Sequence, residues 1–333
     1  MTRRVAITGL GILSPLGIGV DIFWDSLSKG ISGVRRISSF PDTEYRTKVA
    51  GEIPGFDPHD FGMIKKETRN MDRFSQLGVA ASEMALEDSG LTPNDQTGLV
   101  MGTGVGGCIT TDQEHAAYHN KGGARFVRPM AIPMVMCNAA AAHICRRSNL
   151  RGPGYTVVTA CASGANAIGE AYRLIKHGYS DSMLAGGTEA PISELLFHGW
   201  CRMRVMTTHN DDPAKAMRPF SKDRDGIVLS EAAAVVVLEE MESARARGAK
   251  IYAEICGYGS SNDAYHLVAP SIEGQTLALT RCLEDAELPS EAVDYVNAHG
   301  TATQLNDPTE TQVVKNVLGD KAYKTPISSI KPM

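Results

Sequence analysis

The strongest chemical signal in the chain is Thr156-Val157-Val158-Thr159-Ala160-Cys161-Ala162-Ser163-Gly164-Ala165, a β-branched run that leads into a cysteine and then into small residues opening a helical pattern. This order predicts Cys161 at a helix N-terminus, where unsatisfied amides and the macrodipole stabilise a thiolate. The small side chains of Ala162, Gly164 and Ala165 leave room for an electrophile, so a nucleophilic thiol is the functional reading. A small hydrophobe buried after a strand is the competing one.

The second signal is Val296-Asn297-Ala298-His299-Gly300-Thr301-Ala302-Thr303, a strand pattern ending at a histidine, a glycine and two hydroxyl residues. A neutral imidazole there can donate a hydrogen bond to a carbonyl oxygen as negative charge develops on it. A histidine ending a strand also serves purely structural ends. Parallel strands of an α/β sheet present their carboxyl ends together, so Cys161 and His299 are expected to open on one cleft. Asp307 and Glu310, three residues apart at the start of the next helix, either complement its dipole or orient Lys331. In the second case a buried lysine beside two carboxylates supports the site as a charge network and is not itself the base.

Three weaker patterns point elsewhere. Gly102-Thr103-Gly104-Val105-Gly106-Gly107 and Gly9-Leu10-Gly11 follow strands, yet neither completes the dinucleotide fingerprint with its acidic residue about 20 positions on. Tyr172 and Lys176 have the spacing of a reductase pair but fall where the helix after Cys161 must pack. His115 and His119 stand one helical turn apart with no third metal ligand nearby, so no metal site is expected.

The elements that must position these residues alternate between short β-branched runs and helical patterns. Strand patterns occupy residues 5–8, 99–102, 155–159, 183–186, 234–238, 251–256, 293–298 and 326–330, which makes the chain α/β. Helices are predicted over 73–88, with Phe74, Leu77, Ala81 and Ala85 on one stripe, over 164–177, ending at Gly178, and over 239–250. A new αβ rhythm begins at Ile251. The expected organisation is therefore a first portion, residues 1–250, carrying Cys161, and a shorter one, residues 251–333, carrying His299 and Lys331.

Bulk properties narrow the classes. In 333 residues, 43% are hydrophobic, enough for a large core shared by two packed halves. A formal charge of −5 argues against a nucleic-acid binder, which needs a dense basic surface. Seven cysteines, an odd number with no CxxC pair, suggest neither a disulfide framework nor structural zinc, and fit a reducing cytoplasm. No run of about 20 apolar residues is long enough for a membrane span.

Taken together, the motifs carry a resemblance. The chain is similar to the elongating beta-ketoacyl-[acyl-carrier-protein] synthases of type II fatty-acid synthesis, within the thiolase-like superfamily. The similarity runs from Met1 to Met333 through Val5-Ala6-Ile7-Thr8-Gly9-Leu10-Gly11, Met71-Asp72-Arg73-Phe74, Gly104-Val105-Gly106-Gly107, Thr159-Ala160-Cys161-Ala162-Ser163-Gly164, Gly186-Gly187-Thr188-Glu189-Ala190, Arg218-Pro219-Phe220, Arg224-Asp225-Gly226, Asp263-Ala264-Tyr265-His266, His299-Gly300-Thr301-Ala302-Thr303 and Ser328-Ser329-Ile330-Lys331. It implies a duplicated αβαβα layered fold and a decarboxylative condensation. Cys161 would carry the acyl chain, with its own amide in the oxyanion hole, and His299 would assist decarboxylation of malonyl-carrier protein. Thr301 and Thr303 would hold the phosphopantetheine arm, Glu310 and Lys331 would form a supporting charge pair, and Val105 would gate the acyl tunnel. No organic cofactor is implied, since both reactants arrive as carrier thioesters.

The resemblance also implies partners: an acyl carrier protein and a second copy of the chain. For the carrier, Lys65, Lys66 and Arg69, with Arg125, Arg128, Arg202 and Arg204 as companions, would meet an acidic surface, a solvated basic face being the alternative. For the dimer, the Ala- and Met-rich residues 130–143 are expected to form an interface helix, though core packing explains the same stripe. The family motif continues beyond Lys331 to a Gly-His pair, a second catalytic histidine and a glycine-rich turn with a gating phenylalanine, none of them within this sequence. The second half is thus expected to be incomplete, and the natural protein to be about 400 residues long by resemblance. A smaller departure, Leu229-Ser230-Glu231-Ala232-Ala233, reads as tolerable variation in a turn. Polyketide ketosynthases and the non-catalytic chain-length factors that keep the fold without the nucleophile are the rival readings. The absence of a second reactive cysteine motif disfavours a degradative thiolase.

Overall fold

A computed structural model describes residues 3–42 and 44–333. Its contacts divide the chain into two compact units. The first joins Met1–Asp25, Glu52–Phe197 and Ser230–Ile255; the second joins Ser26–Gly51, His198–Leu229 and Cys256–Met333. Two segments that precede residue 250 in sequence thus group with the second unit.

The first unit is built on seven strands: β1 (Val5–Ser14), β2 (Gly17–Ile18), β3 (Gly98–Gly102), β4 (Gly154–Val157), β5 (Ser182–Glu189), β6 (Ala232–Glu240) and β7 (Ala253–Ile255). Their order is β2-β1-β6-β5-β3-β4, with β7 also pairing β1. Strands β4, β3 and β5 run parallel to one another, whereas β6 is antiparallel to both β5 and β1. Helices cover both faces, which is why the inner strands read as continuous apolar runs. On β3, Leu99 and Met101 join the core cluster under α1 (Arg73–Ser89), while Gly102, on the opposite pleat, meets α4 (Ser163–Lys176). The intervening helices are α2 (Cys108–Lys121) and α3 (Ala139–Ser148).

Helix α1 forms where its stripe predicts. Asp72 caps it by accepting from the Phe74 amide, and Gly90 ends it in the left-handed region. Phe74, Leu77, Ala81 and Ala85 are all fully buried. Truncating Leu77 to alanine is expected to cost about 2–5 kcal/mol.

Two local expectations differ from the structure. Residues 239 and 240 end strand β6, and the helix that follows is only Met241–Ala246. Glu239 stays in the strand because its buried carboxylate is held there: the buried Thr8 donates to it, and Arg247 grips it from the surface through Nε at 2.8 Å and Nη2 at 2.6 Å. Residues 130–143 form two helices, Ala131–Val135 and α3, broken at 136–138. The backbone at Val135 and Cys137 is packed directly against Gly106 and Gly107, which leaves no room to continue a single helix.

In the second unit, β8 (Val296–Asn297) and β9 (Ile327–Ser328) pair in parallel. They are accompanied by α5 (Ile272–Ala286), capped by Ser271, and α6 (Asn306–Leu318). Arg35–Arg36 and Val49–Ala50 form a further short antiparallel pair. No helix among the described residues is long and apolar enough to cross a membrane.

Candidate active site

In the first unit, β4 leads into a tight elbow. After Thr159 the chain turns through Ala160 at φ +51°, a left-handed conformation that a side chain adopts only when its surroundings impose it. Ser163, the first residue of α4, supplies that constraint. Its Oγ accepts from the Thr159 amide at 2.8 Å and lies 2.7 Å from the Ala160 carbonyl oxygen and 3.0 Å from that of Thr103. Thr159 Oγ1 donates to Asn166 Oδ1 at 2.6 Å, tying the strand end to the first turn of the helix. Cys161 sits on this elbow within the turn Ala160–Ala162 and is exposed, with its thiol at the start of a 14-residue helix rather than packed into the core. The helix reaches so close to the sheet only because residue 102 is glycine: a Cβ there would lie 2.3 Å from the Ser163 carbonyl oxygen.

Val105 is 43% exposed in the loop that follows β3. Glu189, at the end of β5, holds that loop: its carboxylate accepts from Thr103 Oγ1 at 3.0 Å, from the Gly104 amide and from the Val105 amide at 3.2 Å. Burial, and to a lesser extent the Asp72 carboxylate, push the Glu189 carboxyl above the ordinary range. Burial also pushes the Cys108 thiol up to about 12, with help from Asp72 and Glu189.

In the second unit, β8 delivers His299 to a turn held by charges. The amides of His299 and Gly300 donate to the two oxygens of Glu310 at 2.6 and 2.8 Å. Lys331 Nζ donates to the His299 carbonyl oxygen. The buried lysine of the charge-network alternative is not what forms: Lys331 is exposed, its ammonium donating to that carbonyl. Asp307 is 2% exposed and accepts from the Phe220 amide at 2.7 Å, with Arg224 Nε 3.6 Å away. Thr301 and Thr303 face each other, their hydroxyl oxygens 2.9 Å apart, and Thr303 Oγ1 also caps the Asn306 amide at 3.2 Å. Gly300 takes φ +46°, and a Cβ on it would lie 2.4 Å from that of Ser329. The imidazole of His299 is held below its ordinary value by desolvation and then by the Lys331 ammonium, while Glu310 and Asp307 pull the other way. The outcome favours a neutral ring, the form that donates from one nitrogen and accepts at the other.

The basic residues divide between the units. Lys65, Lys66 and Arg69 are exposed and, with Asn70, Arg128, Pro129 and Met130, line an open groove of about 550 Å³ in the first unit. Arg128 is anchored there by Glu114. Arg125 lies over the Phe126 ring, 4.8 Å from its centroid. Arg204 belongs to the second unit, where it lines a smaller hollow of about 260 Å³ with Arg46, Thr47 and Asp225. Arg202 is exposed in that unit as well.

The weaker patterns find structural roles. Tyr172 is 2% exposed in the packing face of α4, under the Lys176 ammonium at 5.1 Å. The His115 and His119 rings meet at a tilt of 55° with centroids 4.5 Å apart, and among the described residues no cluster of three metal-ligating side chains forms there or elsewhere.

Sequence reasoning assigned no role to Ser163, Glu189, Arg224 or Glu231. Arg224 donates to the Thr303 carbonyl at 2.9 Å and so braces the hydroxyl turn. Glu231, read as part of a variable turn, is 3% exposed; it accepts from the Ile53 amide at 2.8 Å and from Arg73 at 2.6 and 2.7 Å. A lone acidic residue inside an apolar run was the available signal, since a buried charge requires a partner.

The family model described as "Beta-ketoacyl synthase, N-terminal domain" matches residues 2–244, and that described as "Beta-ketoacyl synthase, C-terminal domain" matches residues 252–333. The chain is 42% identical to "3-oxoacyl-[acyl-carrier-protein] synthase 2" of Synechocystis sp., a match spanning 99% of this chain and 80% of the relative. Among solved structures, "The ishigamide ketosynthase/chain length factor" superposes with a TM-score of 0.93 at 34% identity, over 100% of this chain and 81% of that one. A type II PKS acyl-carrier protein in complex with its ketosynthase gives 0.91 at 29% identity, over 100% of this chain and 82% of that one.

Proposed function

The chain belongs to the beta-ketoacyl synthase family, and on that footing we propose that it condenses an acyl thioester with malonyl-carrier protein to extend a fatty-acyl chain by two carbons. The observation that carries this reading is an exposed Cys161 on a braced elbow at a helix start, in a chain 42% identical to a 3-oxoacyl-[acyl-carrier-protein] synthase 2. The Cys161 thiol gives up its proton and the thiolate attacks the acyl carbonyl; a new C–S bond forms, the carrier's C–S bond breaks, and the carrier thiolate takes up the proton that Cys161 released. Malonyl-carrier protein then loses CO2 while His299 donates to its thioester oxygen, stabilising the enolate. The enolate carbon attacks the Cys161 thioester, the C–C bond forms, and the C–S bond breaks to return the thiolate. Thr301 and Thr303 hold the pantetheine arm, Val105 stands at the acyl entrance, and Glu310, Lys331 and Asp307 keep the His299 turn in place.

The partner in both half-reactions is an acyl carrier protein. The groove of Lys65, Lys66, Arg69 and Arg128 supports a docking site for an acidic surface, with Arg125 and Arg204 as companions. Reversing the charges at Lys65 and Arg69 should raise KM for carrier substrates and spare small thioesters; unchanged kinetics would remove docking from that groove. A homodimer in the cytoplasm completes the proposal. Strand β4 ends the sheet; Tyr155 within it and Val158 just after it are 41% and 49% exposed, and Ile132 is 69% exposed, features that suit pairing with a second copy. Seven free cysteines fit a reducing compartment.

The test is the intact mass of the protein after incubation with acyl-carrier protein, set against Cys161→Ala. One acyl adduct, absent from the variant, is expected; an adduct that survives the substitution would overturn the assignment. A polyketide ketosynthase is the second reading, favoured by the 0.91 superposition on the type II PKS complex of a ketosynthase with its acyl-carrier protein. Thioester exchange and malonyl decarboxylation assayed separately distinguish either enzyme from a non-catalytic partner, which should show neither.

A further inference from the structure

A single carboxylate at the end of β5 holds three consecutive residues of the loop that carries Val105. Glu189 receives Thr103 Oγ1 on Oε1, and both the Gly104 and Val105 amides on Oε2. The approach depends on Gly104, since a Cβ there would stand 2.8 Å from Glu189 Oε2. From its other side the same loop is tied to the nucleophile: the Thr103 amide donates to Val157, at the end of the strand before the elbow, at 3.2 Å, and Ser163 Oγ lies 3.0 Å from the Thr103 carbonyl oxygen. The half-exposed Val105 side chain is therefore placed by its backbone more than by packing around it.

We propose that Glu189 is a positioning residue that sets the Val105 loop against the Cys161 elbow and thereby fixes which acyl chains are accepted. The proposal deepens the condensing-enzyme reading and rests on Val105 standing at the acyl entrance. The carboxylate accepts all three as charge-assisted hydrogen bonds, and protonation takes that assistance from each of them. A proton on Oε2 would turn an O–H toward two amide donors, whereas one on Oε1 reverses the bond to Thr103 Oγ1 and leaves the amides on a neutral, weaker acceptor. The titratable groups facing it are Asp72, at the start of α1, and the Cys108 thiol, at the start of α2. Burial and Asp72 raise the pH at which Glu189 takes up its proton, and Cys108, pushed up to about 12, stays neutral throughout.

The first measurement is amide exchange at Gly104 and Val105 in the unmodified protein between neutral and mildly acid pH, corrected for intrinsic rates. Protection should fall as Glu189 protonates, and in Glu189→Gln, which keeps the shape without the charge, it should be below the neutral-pH value of the unmodified protein and independent of pH. The second is the ratio of kcat/KM for long-chain over short-chain acyl thioesters. In Glu189→Gln this ratio should change about tenfold, the scale of one charge-assisted hydrogen bond, and should lose its pH dependence. Protection that ignores both pH and the substitution overturns the clamp. Protection that responds while the ratio does not overturns the control of selectivity. Loss of all acyl transfer in the unmodified protein would instead strike at the condensing-enzyme reading, and the exchange result would remain separate from it. Should Glu189→Gln not fold, the exchange profile of the unmodified protein decides alone.

Discussion

The Cys161 elbow and the His299 turn solve one problem with different materials. Each must present a side chain just past the end of a strand. At Cys161 the chain is fixed by backbone geometry, a serine hydroxyl and a helix pressed against Gly102, with no charged group in the immediate hydrogen-bond set. At His299 the backbone is fixed by Glu310 and Lys331, and the neighbouring residues by Asp307 and Arg224. The first arrangement is steric, its immediate contacts made by neutral groups; the second is electrostatic, and its geometry and its imidazole respond to the same charges.

Substitutions can test that contrast. Cys161→Ala is expected to lower condensation by more than about a thousandfold, the scale of a lost nucleophile. Comparing acyl transfer with malonyl decarboxylation shows whether the second unit's chemistry survives alone. Glu310→Ala frees two backbone amides and should shift His299 enough to slow decarboxylation about a hundredfold, with Cys161 acylation much less affected. If both half-reactions fall together, the two regions are not separable in this way. Gly102→Ala presses a methyl group into Ser163 and should cost about 1–3 kcal/mol or more in urea unfolding, together with slower Cys161 alkylation. The pH comparison is finer. The Lys331 ammonium lowers the His299 value, so Lys331→Met should move the acid limb of decarboxylation to higher pH, and Glu310→Gln, which removes a group that raises it, should move that limb lower. Equal shifts in the alkylation profile of Cys161 would contradict the contrast. The smallest expected effect is that of salt: about twofold on decarboxylation and none on alkylation, because screening reaches exposed charges and leaves steric contacts alone.

Much of this was legible in the sequence, because local pattern and tertiary role agree. The strand before Cys161, the small residues after it and the stripe of α1 each point to the element that forms, with boundaries displaced by a residue or two. What could not be read locally depends on contacts far apart in the chain. Ser163 looks like any small residue opening a helix until the Thr103 carbonyl, 60 positions earlier, is placed beside it. Glu239 falls in a helical pattern, but Thr8 and Arg247 keep it in a strand. Residues 130–143 read as one helix because nothing in their own composition announces that the glycine loop at 106–107 will occupy the space. The charges around His299 were visible as residue types, but their roles were not: Glu310 serves two amides, and Lys331 a carbonyl.

The pairing of β1 with β6 also has a consequence in time. Val5–Ser14 leaves the ribosome long before its antiparallel partner Ala232–Glu240, which follows more than two hundred residues later. At about 5–20 residues per second that delay is roughly 10–40 s. During it the first strand has apolar residues on both faces and only the short Gly17–Ile18 hairpin to pair with. The parallel strands bearing Cys161 can assemble in the interval, but the sheet closes only when β6 enters between β5 and β1. Nascent chains stalled before residue 232 should therefore bind chaperones that recognise extended apolar segments, and release should coincide with the emergence of β6.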